Sequence, residues 1–208
     1  MSSLDHRAAL RHLRTADPVM ARLIRQVGTC RLVPRRTGTH FEALARAIVY
    51  QQLSGKAAAT IHGRVLDLYP RRRLRPELVR ATEDQAFRGA GLSRQKIGYL
   101  RDLAEKVETG VVPLGRLDHL DDETILERLT AVKGIGRWTV QMFLMFRLGR
   151  PDVLPELDLG VQNAIHRAYG LVKRPSPKQV LEIGTPWRPH ASVAAWYLWR
   201  SLEGEAAM

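Results

Sequence analysis

Leu129-Thr130-Ala131-Val132-Lys133-Gly134-Ile135-Gly136-Arg137-Trp138-Thr139-Val140 is the stretch that decides the fold. Apolar residues at helical spacing run up to Leu129, two glycines bracket Ile135, and a second apolar segment opens at about Arg137. The pattern predicts a helix, a tight turn and a second helix. Glycine accepts positive φ and lets another backbone come close. The first amides of the second helix point outward and carry its positive dipole end. A phosphate can sit there without any base being read. A bare Gly-x-Gly occurs in many helix turns. The frame Leu-x-x-x-x-Gly-Ile-Gly between two helices is more specific.

Outward from this hairpin the periodicity stays helical. Asp17 before Pro18 is an N-cap with proline at the first helical position, followed by Val19, Leu23, Ile24 and Val27. Thr39 and Glu42 have capping-box spacing ahead of the stripe Phe41, Leu44, Ala45, Ile48 and Val49. Helices are expected over about 54–68, about 92–110, from Asp121 through Leu129, over 138–148, over 159–169, after Ser176-Pro177, and over 193–202. The segment from Trp138 to Leu148 is apolar on almost every face and reads as a central buried helix. Only Arg31 to Pro34 could be briefly extended, and Arg71-Arg72-Arg73 reads as a solvated surface loop. The fold class is all-α, with about ten helices.

Length and charge narrow the function. The 208 residues suffice for one domain or two small halves. No run of about 18 apolar residues exists to span a membrane, and the N-terminus has no secretory h-region. A cytoplasmic protein is expected. The single Cys30 excludes a disulfide framework and a cysteine-ligated cluster, and reads as an inert thiol. No His/Cys/Asp cluster has zinc spacing. Lys and Arg total 33 against 21 Asp and Glu, a net +12 with a pI near 10.6. Such a balance favours polyanions. The basic residues are spread along the chain rather than gathered on one terminal amphipathic helix. Nucleic acid is therefore the better reading than a membrane surface.

Four segments carry a resemblance: Ala47-Ile48-Val49-Tyr50-Gln51-Gln52-Leu53-Ser54; Gly91-Leu92-Ser93-Arg94-Gln95-Lys96; the hairpin Lys133 to Val140; and Leu154-Pro155-Glu156-Leu157-Asp158-Leu159-Gly160. In this order and spacing the chain resembles the helix-hairpin-helix DNA glycosylases (the HhH-GPD superfamily) from about Thr39 to Arg200. Within them it resembles the alkylated-base, AlkA-like branch of 3-methyladenine DNA glycosylase II. The resemblance implies one glycosylase domain over 1–208, split into a subdomain of 37–150 and a second of 1–36 plus 151–208, with a cleft between the halves. Some relatives carry a further N-terminal β domain; here the match begins near Thr39, and the compact form is expected.

The resemblance also implies roles. The family's catalytic group is an aspartate shortly after the hairpin. Of Asp152, Glu156 and Asp158, the Asp-Leu-Gly match selects Asp158. On the residues alone Asp158 reads as the N-cap of the next helix, and both roles can hold. The base pocket would draw on Trp138, Met142, Trp187, His190 and Tyr50. Core packing is the alternative for Trp138 and Tyr50, and a structural histidine for His190. The wedge that fills the gap left by an extruded base would be Gln52, or Leu53. Backbone phosphates would meet Ser54, Lys56, Arg94, Lys96, Lys133, Gly134, Gly136 and Arg137, with solvated side chains as the alternative for the charged ones. No cofactor is required. A Na+ or K+ ion could sit on the backbone carbonyls of Thr130, Val132 and Ile135, outside the bond cleavage.

Cleaving an N-glycosidic bond builds positive charge on the deoxyribose, which a nearby carboxylate stabilises. An alkylated purine is already cationic and leaves readily. It can also gain cation–π attraction over an indole. Lyase members of the family carry a lysine where this chain has Trp138, so a strand-cutting Schiff base lacks its amine. The expected activity is monofunctional removal of 3-methyladenine or 7-methylguanine from double-stranded DNA, by a monomer associated with the nucleoid. The alternatives are a non-enzymatic hairpin module binding the DNA backbone, and a glycosylase for oxidised or deaminated bases.

Overall fold

A computed structural model describes residues 4–203 and resolves the chain into two compact units. One is Arg36–Phe143. The other joins the residues up to Arg35 with those from Leu144 onward. The sequence placed the second crossing at 150/151; it falls at 143/144. Two contacts explain the shift. Residues 144–148 form a π-helical turn, and Phe146 O accepts from Arg35 N–H at 2.7 Å. Pro34 lies against Gly149, so this stretch packs with the chain's early residues.

Among the described residues there are twelve α-helices and no strand. None is long and apolar enough to cross a membrane. The Arg36–Phe143 unit holds α3 (His40–Tyr50), α4 (Gly55–Asp67), α5 (Pro76–Ala81), α6 (Asp84–Gly89), α7 (Arg94–Glu108), α8 (Asp122–Thr130) and α9 (Arg137–Phe143). Its core is built where sequence periodicity put it. Phe41, Leu44, Ile48 and Val49 of α3 are buried, as are Ile97, Leu100 and Leu103 of α7 and Ile125 and Leu129 of α8. The capping box that opens α3 is formed: Thr39 N–H donates to Glu42 Oε2 at 2.7 Å and Glu42 N–H to Thr39 Oγ1 at 3.1 Å. Residues 70–72 form a short 3-10 turn in which Arg71 and Arg72 both hold positive φ, rather than a plain loop.

The other unit holds α1 (His6–Ala16), α2 (Pro18–Val27), α10 (Leu159–Ala168), α11 (Pro177–Ile183) and α12 (Ala191–Glu203). α12 is its centre, with Ala194, Ala195, Tyr197 and Leu198 fully buried against α2 and α10. Cys30 is buried here, and burial pushes its thiol pKa up, which fits the inert reading.

A polar node lies in that core and corrects one expectation. Asp17, 6% exposed, caps α2 by accepting from Val19 N–H at 2.8 Å and Met20 N–H at 3.2 Å. Its second oxygen accepts from Trp187 Nε1 at 2.8 Å and from the Tyr169 hydroxyl. Burial, reinforced by Asp17, pushes the Tyr169 phenol well up, so it stays a donor. Trp187 is 0% exposed. It is a core residue and lines no base pocket, because its indole N–H needs the Asp17 carboxylate when buried.

Candidate functional site

The hairpin is built as its glycines suggested. α8 ends at Thr130, Val132 N–H closes onto Leu129 O at 3.1 Å, Ile135 N–H onto Val132 O at 3.0 Å, and α9 begins at Arg137. The two glycines do different work. Gly134 holds φ +81°, and a Cβ there would stand 2.2 Å from the Tyr99 ring. Gly136 has ordinary φ and open space around it. Only Gly134 is required by the backbone; Gly136 leaves room for an approaching group. Gly134→Ala therefore combines left-handed strain with a ring clash and should cost about 2–4 kcal/mol. Gly136→Ala should cost well under half of that. Urea unfolding of the two variants checks this, and equal midpoints would refute it.

Asp102, on α7, ties the hairpin down and has no local motif to announce it. Its carboxylate accepts from Lys133 N–H at 2.8 Å and from Lys106 Nζ at 2.6 Å. Burial alone would raise its pKa. The Lys106 and Lys133 bonds, with the charges of both lysines, outweigh burial and hold it below the usual carboxylate range. The contribution is thus complete above the ordinary carboxylate pKa and is lost as pH falls through the lowered one. The Lys133 side chain itself is 76% exposed.

The carbonyls proposed for a monovalent cation lie at the end of α8 and in this turn. Backbone oxygens at a helix C-terminus are hard donors at the negative dipole end and fit such an ion. The Val132 carbonyl also serves Ile135 N–H.

A pocket of about 500 Å³ opens beside the hairpin, wholly within the Arg36–Phe143 unit. It brings together Tyr50, Gln52, Lys96, Gly134, Trp138 and Met142, all named from the sequence. It adds Ala47, Gln51, Gln95, Tyr99 and Thr139, none of which was a candidate site residue. Trp138 is 45% exposed and faces this space, so the segment after Arg137 is not the all-round buried helix its composition suggested. Its apolar surface includes a pocket wall. Arg46 stacks its guanidinium 3.8 Å over the Tyr50 ring, and His62 meets the same ring edge-on. Burial, then the charges of Arg46 and Arg72, push the His62 pKa down and keep it neutral there.

Several phosphate candidates have defined places. Ser54 caps α4, with Ala57 N–H donating to its Oγ, and Lys56 is exposed in that helix's first turn. Arg94 is exposed at the start of α7, behind the Ser93 cap. Leu53 and Gln52 are exposed on the turn after α3, and Gln52 holds φ +56°. Lys96 departs from expectation. Its ammonium turns inward and donates to Val49 O at 2.8 Å and Gln51 O at 2.7 Å, neutralising the C-terminus of α3 instead of facing a phosphate.

In the other unit, Asp158 is the N-cap of α10, accepting from Val161 N–H at 2.8 Å. The same Oδ1 accepts from Trp199 Nε1 at 2.8 Å. Trp199 stacks on Phe146 with ring centroids 5.7 Å apart, which fixes the indole. Gly160 belongs to this arrangement, since a Cβ there would lie 3.0 Å from both Asp158 Oδ1 and Trp199. The two rival acids are placed differently. Asp152 pairs with Arg188 at 2.8 Å and receives Ala191 N–H, and Glu156 is buried. Exposed Leu157 and Leu159 flank Asp158. His190 packs edge-on against His12, 5.4 Å away, and His12 Nε2 donates to Pro186 O. Burial and the neighbouring His12 push the His190 pKa down, so the ring is neutral at pH 7.

An all-helical chain with a glycine hairpin beside a partly aromatic pocket, and an oriented aspartate opening a helix, has the parts of a DNA base-excision protein. Residues 45–189 match the HhH-GPD superfamily of base excision DNA repair proteins, and the chain belongs to that superfamily. It is 37% identical over 195 residues to DNA-3-methyladenine glycosylase 1 of Schizosaccharomyces pombe, covering 91% of this chain and 85% of that one. Among solved structures, it resembles a Bacillus halodurans DNA-3-methyladenine glycosidase at 37% identity and TM-score 0.87, over 99% of this chain and 94% of that one. It also resembles the Schizosaccharomyces pombe 3-methyladenine DNA glycosylase in complex with abasic DNA. That match has 36% identity and TM-score 0.83, over 94% and 97% of the two chains.

Proposed function

We propose that this chain is a monofunctional DNA glycosylase that removes alkylated purines, of the 3-methyladenine and 7-methylguanine type, from double-stranded DNA in base-excision repair. The observation that carries the reading is the Asp158 carboxylate, held at a helix N-terminus and oriented by the Trp199 indole. In the reaction the bond between C1′ and the base nitrogen breaks, and its electron pair leaves with the base. A cationic base departs as a neutral one. Asp158 stabilises the positive charge left on the sugar, water oxygen bonds to C1′, and the water's proton passes to the carboxylate or to solvent. The products are the free base and an abasic site in an intact strand.

Trp138 supplies the wall on which the extruded base stacks, with Tyr50 and Met142 beside it. Gln52 is the wedge that takes its place in the duplex. The hairpin amides at Gly136 and Arg137, with Ser54, Lys56, Arg94 and Lys133, serve the phosphates. Bound at the Thr130, Val132 and Ile135 carbonyls, Na+ or K+ would add a positive charge facing a phosphate. Trp138 stands where the resemblance implies that a lyase would carry its lysine, which supports a reaction without a Schiff base. The chain acts as a monomer on damaged DNA, and its place is the nucleoid.

Free bases recovered from methylated duplex DNA test the assignment: 3-methyladenine and 7-methylguanine are expected. Retained DNA binding with no base released would leave a binding module instead. Trp199→Phe keeps the stack and deletes the donor. It should lower kcat roughly ten- to a hundredfold, the worth of a hydrogen bond to a charged group, with KM little changed.

A further inference from the structure

The turn that carries Gln52 is fastened by side chains that the proposed chemistry does not use. α3 ends at Tyr50, and the chain turns through Gln51, Gln52 and Leu53 before the Ser54 cap. Gln52 sits at φ +56° with an ordinary side chain. Left-handed backbone at a non-glycine residue costs free energy and persists only where the surroundings impose it. Two fastenings impose it here. Lys96 Nζ donates to the carbonyls of Val49 and Gln51, on either side of the helix end. Gln51 Nε2 donates to Gly134 O at 2.7 Å, joining the turn to the hairpin. The hairpin glycine is itself covered by Tyr99, one helical turn along α7 from Lys96. One helix thus holds both the turn and the hairpin, and one amide links the two.

We infer that Lys96 and Gln51 are positioning residues that preset the Gln52 turn for insertion into the duplex, so that they act on base extrusion and not on bond cleavage. The inference rests on the glycosylase reading for its substrate. Its logic is preorganisation. A turn already in its inserting shape pays no ordering cost when the base leaves the stack. Burial lowers the pKa of Lys96, which agrees with an ammonium turned away from water. The lysine nevertheless has two carbonyls to serve, and methionine at 96 keeps its stem while deleting both bonds.

Two substrates separate extrusion from chemistry. In one duplex the methylated purine faces its normal partner. In the other it faces an abasic gap, where leaving the stack costs less. Single-turnover base release should fall roughly ten- to a hundredfold for Lys96→Met and for Gln51→Leu on the paired duplex. On the gapped duplex both should stay within about threefold of wild type. Thermal melts select the variants that fold, and either one suffices. In parallel, 2-aminopurine next to the target reports unstacking without any bond being cut. Its fluorescence rise should be diminished in both variants. Equal losses on the two duplexes, or no loss on the paired one, would overturn the inference. A wild type that unstacks the base but releases none would remove the proposed activity and leave this inference standing, provided the variants unstack less. A wild type that does neither removes both.

Discussion

Asp158→Asn should fold and bind DNA like the wild type while losing base release by roughly a hundred- to a thousandfold, about 3–4 kcal/mol of transition-state stabilisation. The substitution separates the two jobs of this residue. Asparagine caps a helix as well as aspartate does, and its Oδ1 can still accept from Val161 N–H and Trp199 Nε1. Geometry and stability are therefore kept, and only the negative charge goes. If the cap were the whole role, the substitution would be silent. If charge on the sugar is what the enzyme must stabilise, the asparagine variant fails at the chemical step and not at binding. Single-turnover kinetics with a melting curve and a binding isotherm give all three quantities. A drop in melting temperature together with the lost activity would assign the effect to folding.

Asp17→Ala is the second large effect, and it concerns stability. Removing the carboxylate strands the Trp187 indole N–H in the core and the half-buried Tyr169 hydroxyl beside it. It also removes the α2 cap. At about 1–3 kcal/mol for a stranded buried donor and about 1 kcal/mol for the cap, the loss should reach roughly 3–5 kcal/mol. That is about 10 °C in melting temperature for a chain of this size. Trp187→Phe should follow the same course more mildly, with kcat unchanged wherever the variant is folded. A pocket residue would behave in the opposite way, losing kcat with the melt unmoved. Scanning calorimetry and base release on the same preparations decide it.

What the sequence made legible was local. The hairpin glycines, the Asp17-Pro18 start, the Thr39 and Glu42 box and the Asp121 and Ser176 caps all rest on residues within four positions of one another. Each stands where the pattern put it. The short helices α5 and α6, six residues each, escaped because a period of 3.6 needs a longer window to show. α1 was passed over although its pattern was there to read: Ala9 and Leu13, four residues apart, form its buried face behind the Asp5 cap.

The site was legible as a set of residue types and not as directions. Trp138, Tyr50, Met142 and Gln52 do meet at one pocket. Trp187 does not, because its partner Asp17 lies 170 residues away and no local pattern tells a core tryptophan from a pocket one. Lys96 looked like a phosphate contact because a basic side chain shows its charge in sequence and not its aim. Trp199 left no trace beside Asp158 for the same reason, being brought there by α12 from 41 residues on. Gly160 was the available clue. Its place two residues after the aspartate marks a spot where a side chain would intrude on the indole.

The most direct test uses an end-labelled duplex with one 7-methylguanine or 3-methyladenine, incubated with the wild type and with Asp158→Asn. Each sample is run with and without hot alkali. The wild type should leave the strand whole until alkali cleaves it at the abasic site, and the asparagine variant should leave it whole in both lanes. A strand cut without alkali would contradict the absence of lyase chemistry. Alkali-labile product at an undiminished rate from the Asp158→Asn enzyme would mean that the carboxylate of Asp158 does not drive base release.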